Sequence, residues 1–295
     1  MTIAVLGPNG FIGKKLMASL MECDAIENER ILNVTNIDEF ISRLDLSNEM
    51  YTIIDCVGVK PFFYGTTNEF VAENPKFKLI FLRYSKLLKY CSKTHSRFIF
   101  LSSGGTVYGA YKGRPWRESD PTNPVEDYGK ACALVEELVL GSNGIVVRGS
   151  NIYGAINSNK QRQGLITELL KSLITKSELK ITGNGQSVRD YLHVIDFVKG
   201  LKYIVNNYHD SPKILNLASG EGMNQLELIK LTESILAKNG VKDCALQTRI
   251  LSEVSSPIDI NILNPSLFQK TFGELKSVSI ENGIEDMMKS LRIFQ

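Results

Sequence analysis

One tyrosine near the middle of the chain lies where proton-transfer chemistry would need it. Tyr128 opens the run Tyr-Gly-Lys-Ala-Cys at residues 128–132, at the start of a predicted helix. An unperturbed phenol has a pKa of about 10, so a phenol that exchanges protons near neutral pH usually needs a nearby cation. On a helix the facing position is four residues on, and here it holds the uncharged thiol of Cys132. Lys130 projects from another side of the helix. Tyr128 is therefore a candidate general base without the expected cation.

A glycine-rich turn near the N-terminus is the second pattern that carries chemistry. The apolar run at residues 3–6 predicts a buried strand, and Gly-Pro-Asn-Gly-Phe-Ile-Gly at 7–13 leads into a helical pattern. Gly7 permits a tight turn, Gly10 lets the backbone approach a pyrophosphate, and Gly13 lets the helix pack closely. The helix N-terminus then favours a bound phosphate. No acidic residue is identifiable for the ribose 2′-hydroxyl, so NAD and NADP both remain open.

The elements that must position these residues alternate between strands and helices. Strand-like runs at 51–57, 98–102 and 145–147 alternate with helical runs at 77–91 and 128–140. This alternation predicts an α/β fold, a Rossmann-type doubly wound parallel sheet with helices on both faces. The second strand of such a unit is poorly marked, because several polar residues occupy its place.

The pattern changes after Gly154, where shorter elements predict a smaller C-terminal lobe. We expect a dinucleotide-binding domain at residues 1–154 plus about 191–217. We expect the substrate-binding lobe at about 155–190 and 218–295. Such a lobe would cover the carboxyl ends of the parallel strands, where ligands lie in open α/β sheets.

Composition narrows the class of protein. The chain has 295 residues, 43% hydrophobic and 22% charged, with a net charge of +2 and basic residues spread throughout. This gives no basis for nucleic-acid binding. Five scattered cysteines without a CxxC pair indicate reduced thiols in a cytoplasmic protein, and neither a disulfide framework nor a metal site is expected. No apolar run approaches the length of a membrane span, so no membrane association is expected.

Several motifs together resemble the extended short-chain dehydrogenase/reductase family, in particular its NAD-dependent epimerase/dehydratase members of the UDP-glucose 4-epimerase type. Gly-x-x-Gly-x-x-Gly at 7–13 is similar to the cofactor loop, and Ser-Ser-Gly-Gly-Thr-Val-Tyr-Gly at 102–109 to the active-site strand end. Arg-x-x-Asn-x-Tyr-Gly at 148–154 resembles the turn that meets the sugar nucleotide. Val-Arg-Asp-Tyr-Leu-His-Val-Ile-Asp at 188–196 is the most specific match. The resemblance covers nearly the whole chain.

The resemblance implies redox chemistry on a nucleotide-linked sugar, with Tyr128 taking a proton from a sugar hydroxyl while hydride passes to the nicotinamide. It implies NAD as cofactor, without excluding NADP. The implied cofactor contacts are Gly7, Asn9, Gly10, Phe11, Ile12, Gly13, Asn36, Ile37, Cys56, Val57, Gly58, Lys60, Ser102 and Tyr128. The implied substrate contacts are Asn151, Gly164, Leu165 and Arg189, the last reaching the diphosphate.

The catalytic residues depart from the family pattern in two places. Cys132 stands where the family has a lysine that stabilises the phenolate and hydrogen-bonds the ribose. Gly104 stands where many relatives carry the serine or threonine that shares the hydrogen bond with the tyrosine. Thr106 is then our first choice for this hydroxyl and Ser103 the second.

A third departure concerns the substrate, because Ser256 stands where the family often has a second diphosphate-binding arginine. We predict an NAD-dependent nucleotide-sugar 4-epimerase with a keto-sugar intermediate. The alternatives are an NAD(P)H-dependent 4-keto-sugar reductase and a catalytically impaired binding protein, the latter favoured by Cys132. A dehydratase is disfavoured, because the family's Asp-Glu pair is replaced by Gly105-Thr106. The resemblance also implies a homodimer formed through the helices at 77–91 and 128–140.

Overall fold

The computed structural model describes residues 2–22, 30–44, 46, 48–59, 75–154, 164–182, 184–241, 245–251, 258–275 and 277–294. The strands are β1 Thr2–Leu6, β2 Arg30–Val34, β3 Tyr51–Asp55, β4 Arg97–Ser103, β5 Ile145–Gly149, β6 Asn151–Tyr153, β7 Leu179–Thr182, β8 Val188–His193, β9 Ile214–Leu217, β10 Gly222–Asn224, β11 Thr248–Leu251 and β12 Ile260–Asn261. The helices are α1 Phe11–Met21, α2 Ile37–Leu44, α3 Pro75–Thr94, α4 Gly104–Val107, α5 Asp127–Gly141, α6 Leu165–Thr175, α7 Val194–Asn206, α8 Gln225–Lys238, α9 Ser266–Phe272 and α10 Ile280–Ser290.

A six-stranded parallel sheet in the order β2-β1-β3-β4-β5-β9 forms the centre of the molecule. Every residue of β3 and β5 is buried, as expected for strands covered on both faces. The order reverses between β1 and β3, so the carboxyl ends of these strands flank the crevice where ligands lie in such sheets. The predicted Rossmann-type fold class is confirmed.

The two faces of this sheet have separate apolar cores. Phe98 and Phe100 of β4 pack into one core with α2, α3 and α5. Ile99, between them, packs into the other core with α1 and α7. Because side chains alternate along a strand, each later residue of β4 has a defined face, and this fixes where its hydroxyl residues point.

A second group of elements forms the smaller lobe. Strand β8 pairs with β10, β12 and β6, and β7 pairs with β11. Helices α6, α8 and α10 supply a third apolar core, which includes Leu170, Leu228 and Met288. The division into two domains at the stated boundaries remains a prediction, but a lobe with its own core follows the main sheet as expected.

Candidate functional site

The glycine loop leaves room for an anion at the start of α1. Gly7 has φ +74°, and a Cβ on Gly13 would lie 2.2 Å from the Gly7 carbonyl oxygen. A Cβ on Gly10 would meet only that same oxygen, at 3.3 Å, so the side facing the crevice is open. No acidic residue occupies the first turn of α1, and no described side chain caps it. These residues fit the diphosphate of a dinucleotide, with helix N–H groups directed at the phosphates.

The turn after β3 is tied to a buried carboxylate. Asp55 accepts hydrogen bonds from the backbone N–H of Val57 at 2.9 Å and of Gly58 at 3.2 Å, and from the hydroxyl of Tyr84. Burial raises the pKa of Asp55 above its usual range, against the lowering effect of these bonds. The anchored Val57 packs on the glycine loop, since a Cβ on Gly7 would lie 2.6 Å from its Cγ2.

Other predicted cofactor residues lie around this crevice. Asn36 immediately precedes α2, and its side-chain oxygen accepts a hydrogen bond from the N–H of Glu39 at 3.1 Å. Ile37 lines a small cavity with Val57 and Gly58. Lys60 lies outside the described residues. The structure thus brings the loop at 7–13, the start of α2 and the turn after β3 together at one edge of the sheet.

The end of β4 places its two serines on opposite faces. Ser102 lies on the same face of β4 as Phe98 and Phe100, which faces α5, and its hydroxyl donates to Glu136 at 2.5 Å. Because side chains alternate along a strand, Ser103 lies on the same face of β4 as Ile99, the face covered by α1 and α7. The Thr106 hydroxyl donates to the Ser103 carbonyl oxygen at 3.3 Å, within the short helix α4.

Gly104, at the position of the family's hydroxyl residue, is closed off by the smaller lobe. A Cβ there would lie 2.4 Å from Cδ1 of Leu263, and the Asn261 amide donates to the Gly104 carbonyl oxygen at 3.2 Å. Leu263 is fully buried. A side chain at position 104 therefore requires Leu263 to move.

Tyr128 and Cys132 lie on one face of α5, next to Ser102. The Cys132 side chain is 1% exposed, and the nearby side chains of Tyr128 and Ser102 and the backbone of Ser103 lower its pKa less than burial raises it. Burial raises the pKa of Cys132 to about 12, so the thiol is neutral at physiological pH. Lys130 forms an ion pair with Asp127 at 3.3 Å. The residue one turn after Tyr128 is thus an uncharged, buried group.

A buried ion pair lies one further turn along α5. Arg148 of β5 contacts both carboxylate oxygens of Glu136, with Nη2 to Oε2 at 2.6 Å, and both side chains are less than 5% exposed. The guanidinium lies 4.7 Å from the ring centroid of Tyr108, whose hydroxyl donates to Asn216 at 2.7 Å. Arg148 is opposite Ser102 in the β4–β5 register. The pair therefore fixes the surroundings of the catalytic strand end.

The predicted substrate residues lie on the smaller lobe. Arg189 on β8 donates to the carbonyl oxygens of Val188 and Ile258, both at 2.8 Å, and burial lowers its pKa. The Asn151 amide donates to the Asp190 carbonyl oxygen at 3.3 Å, and Asn151 pairs with β8. Gly164 has φ +86° and precedes Leu165, the first residue of α6. Asn151 and Arg189 thus lie on two paired strands, β6 and β8.

Sequence reasoning missed three residues that shape this site: Asp55, Glu136 and Leu263. Glu136 could have been found, because a carboxylate eight residues after Tyr128 lies on the apolar face of the predicted helix. Nothing in the sequence pattern indicates that Leu263 reaches Gly104. Among the described residues, no group of three histidine, cysteine or acidic side chains could hold a metal ion. In the same part of the chain, no helix combines the length and apolar character needed to cross a membrane.

The fold and the site define a class: an α/β protein with a dinucleotide loop, a helix-borne tyrosine at the strand ends and a smaller lobe over them. The sequence profile described as the NAD dependent epimerase/dehydratase family matches residues 3–218. The chain belongs to this family. The expectations of an enzyme and of NAD as its cofactor are thereby confirmed.

Individual relatives cover nearly the full chain. The chain is 24% identical to dTDP-4-dehydro-6-deoxyglucose reductase of Escherichia coli, over 98% of this chain and 97% of that protein. It is 25% identical to a putative UDP-glucose 4-epimerase of Methanocaldococcus jannaschii, over 81% and 83%. The crystal structure of Thermotoga maritima UDP-glucose 4-epimerase with UDP-glucose superposes with a TM-score of 0.80 at 22% identity, covering 99% of both chains. The relatives thus include both a reductase and epimerases.

Proposed function

We propose that the protein reduces a nucleotide-linked 4-keto-sugar with NADH or NADPH, using Tyr128 as the general acid. The observation that carries this proposal is the buried, neutral thiol of Cys132, which occupies the position one helical turn after Tyr128 on α5. Reduction needs a protonated tyrosine, whereas oxidation of a sugar hydroxyl needs an ionised one. Only about one unperturbed phenol in a thousand is ionised at pH 7. A neighbour without charge therefore favours the reductive direction.

The other roles follow from position. The glycine loop at 7–13 and the turn after β3 hold the dinucleotide, which supplies the hydride. Asn151 and Arg189 hold the nucleotide sugar from the smaller lobe. Thr106 supplies the hydroxyl that shares the hydrogen bond with substrate, because Ser103 lies on the opposite face of β4 and position 104 is closed by Leu263. The similarity of the whole chain to a nucleotide-sugar reductase supports this direction.

The predicted 4-epimerase is the second candidate, and the match to UDP-glucose 4-epimerase folds favours it. An epimerase must first oxidise its substrate, so Tyr128 would have to ionise beside Cys132. The positive charge of oxidised nicotinamide would assist that ionisation. Loss of activity through Cys132 would leave the third alternative, a binding protein.

Cofactor turnover separates the candidates. Purified protein is mixed with a nucleotide 4-keto-sugar and reduced cofactor, and the nicotinamide absorbance is followed. A reductase consumes one cofactor per product, and Tyr128→Phe abolishes the reaction while cofactor still binds. Interconversion of UDP-glucose and UDP-galactose without net cofactor change would select the epimerase. Cofactor and sugar binding without turnover of either substrate class would select the binding protein.

We also propose a cytoplasmic homodimer built on α3 and α5. A groove between these helices is lined by Phe77, Lys78, Phe81, Leu134, Glu137 and Leu138. Leu82 of α3 is 52% exposed beside it. A second copy would cover this apolar surface and could bring Glu137 to Lys78. Light scattering should show a dimer for the wild-type protein and a monomer for Leu82→Glu. Met21→Glu, at an exposed position on α1, is the control and should remain a dimer. A monomeric wild-type protein would contradict the proposal.

A further inference from the structure

A buried carboxylate on β8 joins three segments that are far apart in the chain. Asp190 is fully buried. One of its carboxylate oxygens accepts hydrogen bonds from the backbone N–H of Ser219 at 3.0 Å and from the hydroxyl of the same residue at 2.7 Å. The other oxygen accepts from the backbone N–H groups of Gly220 at 3.1 Å and Leu263 at 3.3 Å. Strand β8 is thereby tied to the turn after β9 and to the segment at residues 261–264.

The segment at residues 261–264 is the part of the smaller lobe that lies against the catalytic turn. The Leu263 side chain covers Gly104, the first residue of α4. Helix α4 in turn packs on the start of α5, since a Cβ on Gly129 would lie 2.7 Å from the Thr106 carbonyl oxygen. The position of this segment therefore affects where α4 meets the helix of the candidate general acid.

The backbone of this segment is held from two sides. On one side, Trp116 donates its N–H to the Ile262 carbonyl oxygen at 2.9 Å and accepts the N–H of Asn264 at 2.7 Å. The N–H of Leu263, between these two bonds, is accepted by Asp190 instead. Removal of the carboxylate would leave that N–H without its acceptor, and the segment would lose its connection to β8.

The main chain of the same residue contacts the substrate side. The Asn151 side-chain amide donates to the Asp190 carbonyl oxygen at 3.3 Å, and β6 pairs with β8. Arg189 is the preceding residue of β8. Asp190 therefore has its backbone next to the proposed sugar-binding residues and its carboxylate on the segment that covers the catalytic turn.

We propose that Asp190 is a positioning residue that sets the nucleotide sugar against the catalytic turn; the proposal rests on the proposed binding of that sugar by Asn151 and Arg189. Reduction needs the keto oxygen within hydrogen-bond reach of the Tyr128 hydroxyl. The sugar is held by one lobe and the hydroxyl by the other, so their separation depends on what joins the two. Asp190 is buried and acts through Leu263 and β8 rather than by touching the sugar.

A second buried carboxylate of the same motif is the matched control. Asp196 is also fully buried. It accepts the backbone N–H of Val278 at 2.7 Å and forms an ion pair with Lys199 at 3.3 Å. These contacts join α7 to the residues before α10 and do not involve the segment at 261–264. A loss of folding stability alone should therefore appear in variants of both carboxylates.

The first test measures kcat and KM for a nucleotide 4-keto-sugar, and the dissociation constant of NADH. Asp190→Ala removes the acceptor of the Leu263 N–H, so kcat should fall by about ten- to a hundredfold, because small misplacements of a reacting group cost this much. NADH affinity should stay at the wild-type value, because the glycine loop is unchanged. Asp196→Ala should keep the wild-type kcat. Equal kcat losses in the two variants would overturn the proposal.

Two conservative variants give the same decision if Asp190→Ala does not fold. Asp190→Asn has the same shape but offers one acceptor oxygen in place of two. Either orientation sets its NH₂ group against at least one backbone N–H, so the side chain must shift and kcat should fall. Ser219→Ala removes one hydroxyl donor and leaves the Leu263 N–H bonded, so kcat should stay at the wild-type value. Wild-type kcat in Asp190→Asn would contradict the proposal.

The second test needs no substrate. Trp116 is the one tryptophan of the chain, is fully buried and stacks on Tyr108 at 5.1 Å between ring centroids, so its fluorescence reports on the segment at 261–264. Asp190→Ala should shift the emission to longer wavelength and increase its quenching by acrylamide, whereas Asp196→Ala should change neither. Unchanged emission and full turnover in Asp190→Ala would overturn the positioning role in an active reductase. Shifted emission in a protein that reduces no keto-sugar would overturn the proposed function and leave the link between Asp190 and the catalytic turn standing.

Discussion

The cofactor crevice around the glycine loop at 7–13 and the catalytic turn around Gly104, at the end of β4, lie at the same edge of the sheet. Backbone atoms limit the space in the first, and side-chain atoms limit it in the second. At Gly13 in the crevice, backbone atoms limit the space: the three atoms nearest to a Cβ there belong to the backbone of Gly7 and Pro8. At the catalytic turn, side chains set it: the nearest atom to a Cβ on Gly104 is a methyl group of Leu263. Backbone obstacles cannot be traded for smaller ones, whereas side chains can. Gly13 should therefore tolerate no substitution, whereas Gly104 should accept a substitution that is compensated at Leu263.

The largest expected effect is at the buried ion pair of the catalytic side. Arg148→Met leaves Glu136 buried without its partner, which should lower the free energy of unfolding by about 3–5 kcal/mol. Urea unfolding followed by circular dichroism measures the change. The matched control is Arg43→Met, which breaks an exposed pair with Glu39 and should cost at most about 1 kcal/mol. Equal losses would show that side chains do not fix the catalytic turn as strongly as its burial indicates.

One added methyl group at Gly13 should be enough to disrupt the cofactor crevice. Gly13→Ala forces the start of α1 away from the Gly7 carbonyl, which should cost about 1–3 kcal/mol of unfolding free energy and weaken NADH binding. Gly141→Ala, in a helix position with no atom within 4 Å of the new Cβ, should be neutral or stabilising. Fluorescence titration with NADH compares the two. Normal NADH affinity in Gly13→Ala would mean that the loop relaxes, and the contrast with the catalytic turn would be lost.

The same contrast explains what the sequence could predict. The glycine loop and the strand–helix alternation follow from local spacing, and the structure has both where they were expected. Strand β2 was poorly marked because it lies at the edge of the sheet, where Val34 is its one buried residue among Arg30–Val34. The contact of Leu263 with Gly104 joins residues far apart in the chain, and the pairing of Glu136 with Arg148 depends on how α5 packs on β5. Packing decides such contacts, so sequence periodicity cannot predict them.

The sharpest test of the contrast is a double-mutant cycle between Gly104 and Leu263. Gly104→Ser alone should destabilise the protein by about 1–3 kcal/mol, because its Cβ overlaps the Leu263 side chain. Leu263→Ala alone should cost about 2–5 kcal/mol through the cavity it leaves. In the double variant the serine occupies part of that cavity. The loss of unfolding free energy measured for the double variant should therefore be about 1 kcal/mol smaller than the sum of the two single losses. Additive losses would mean that the Gly149 carbonyl oxygen, 3.2 Å from the same Cβ, is the true obstacle. The catalytic turn would then be closed by backbone, like the crevice, and a hydroxyl could not be restored at position 104 by changing any side chain.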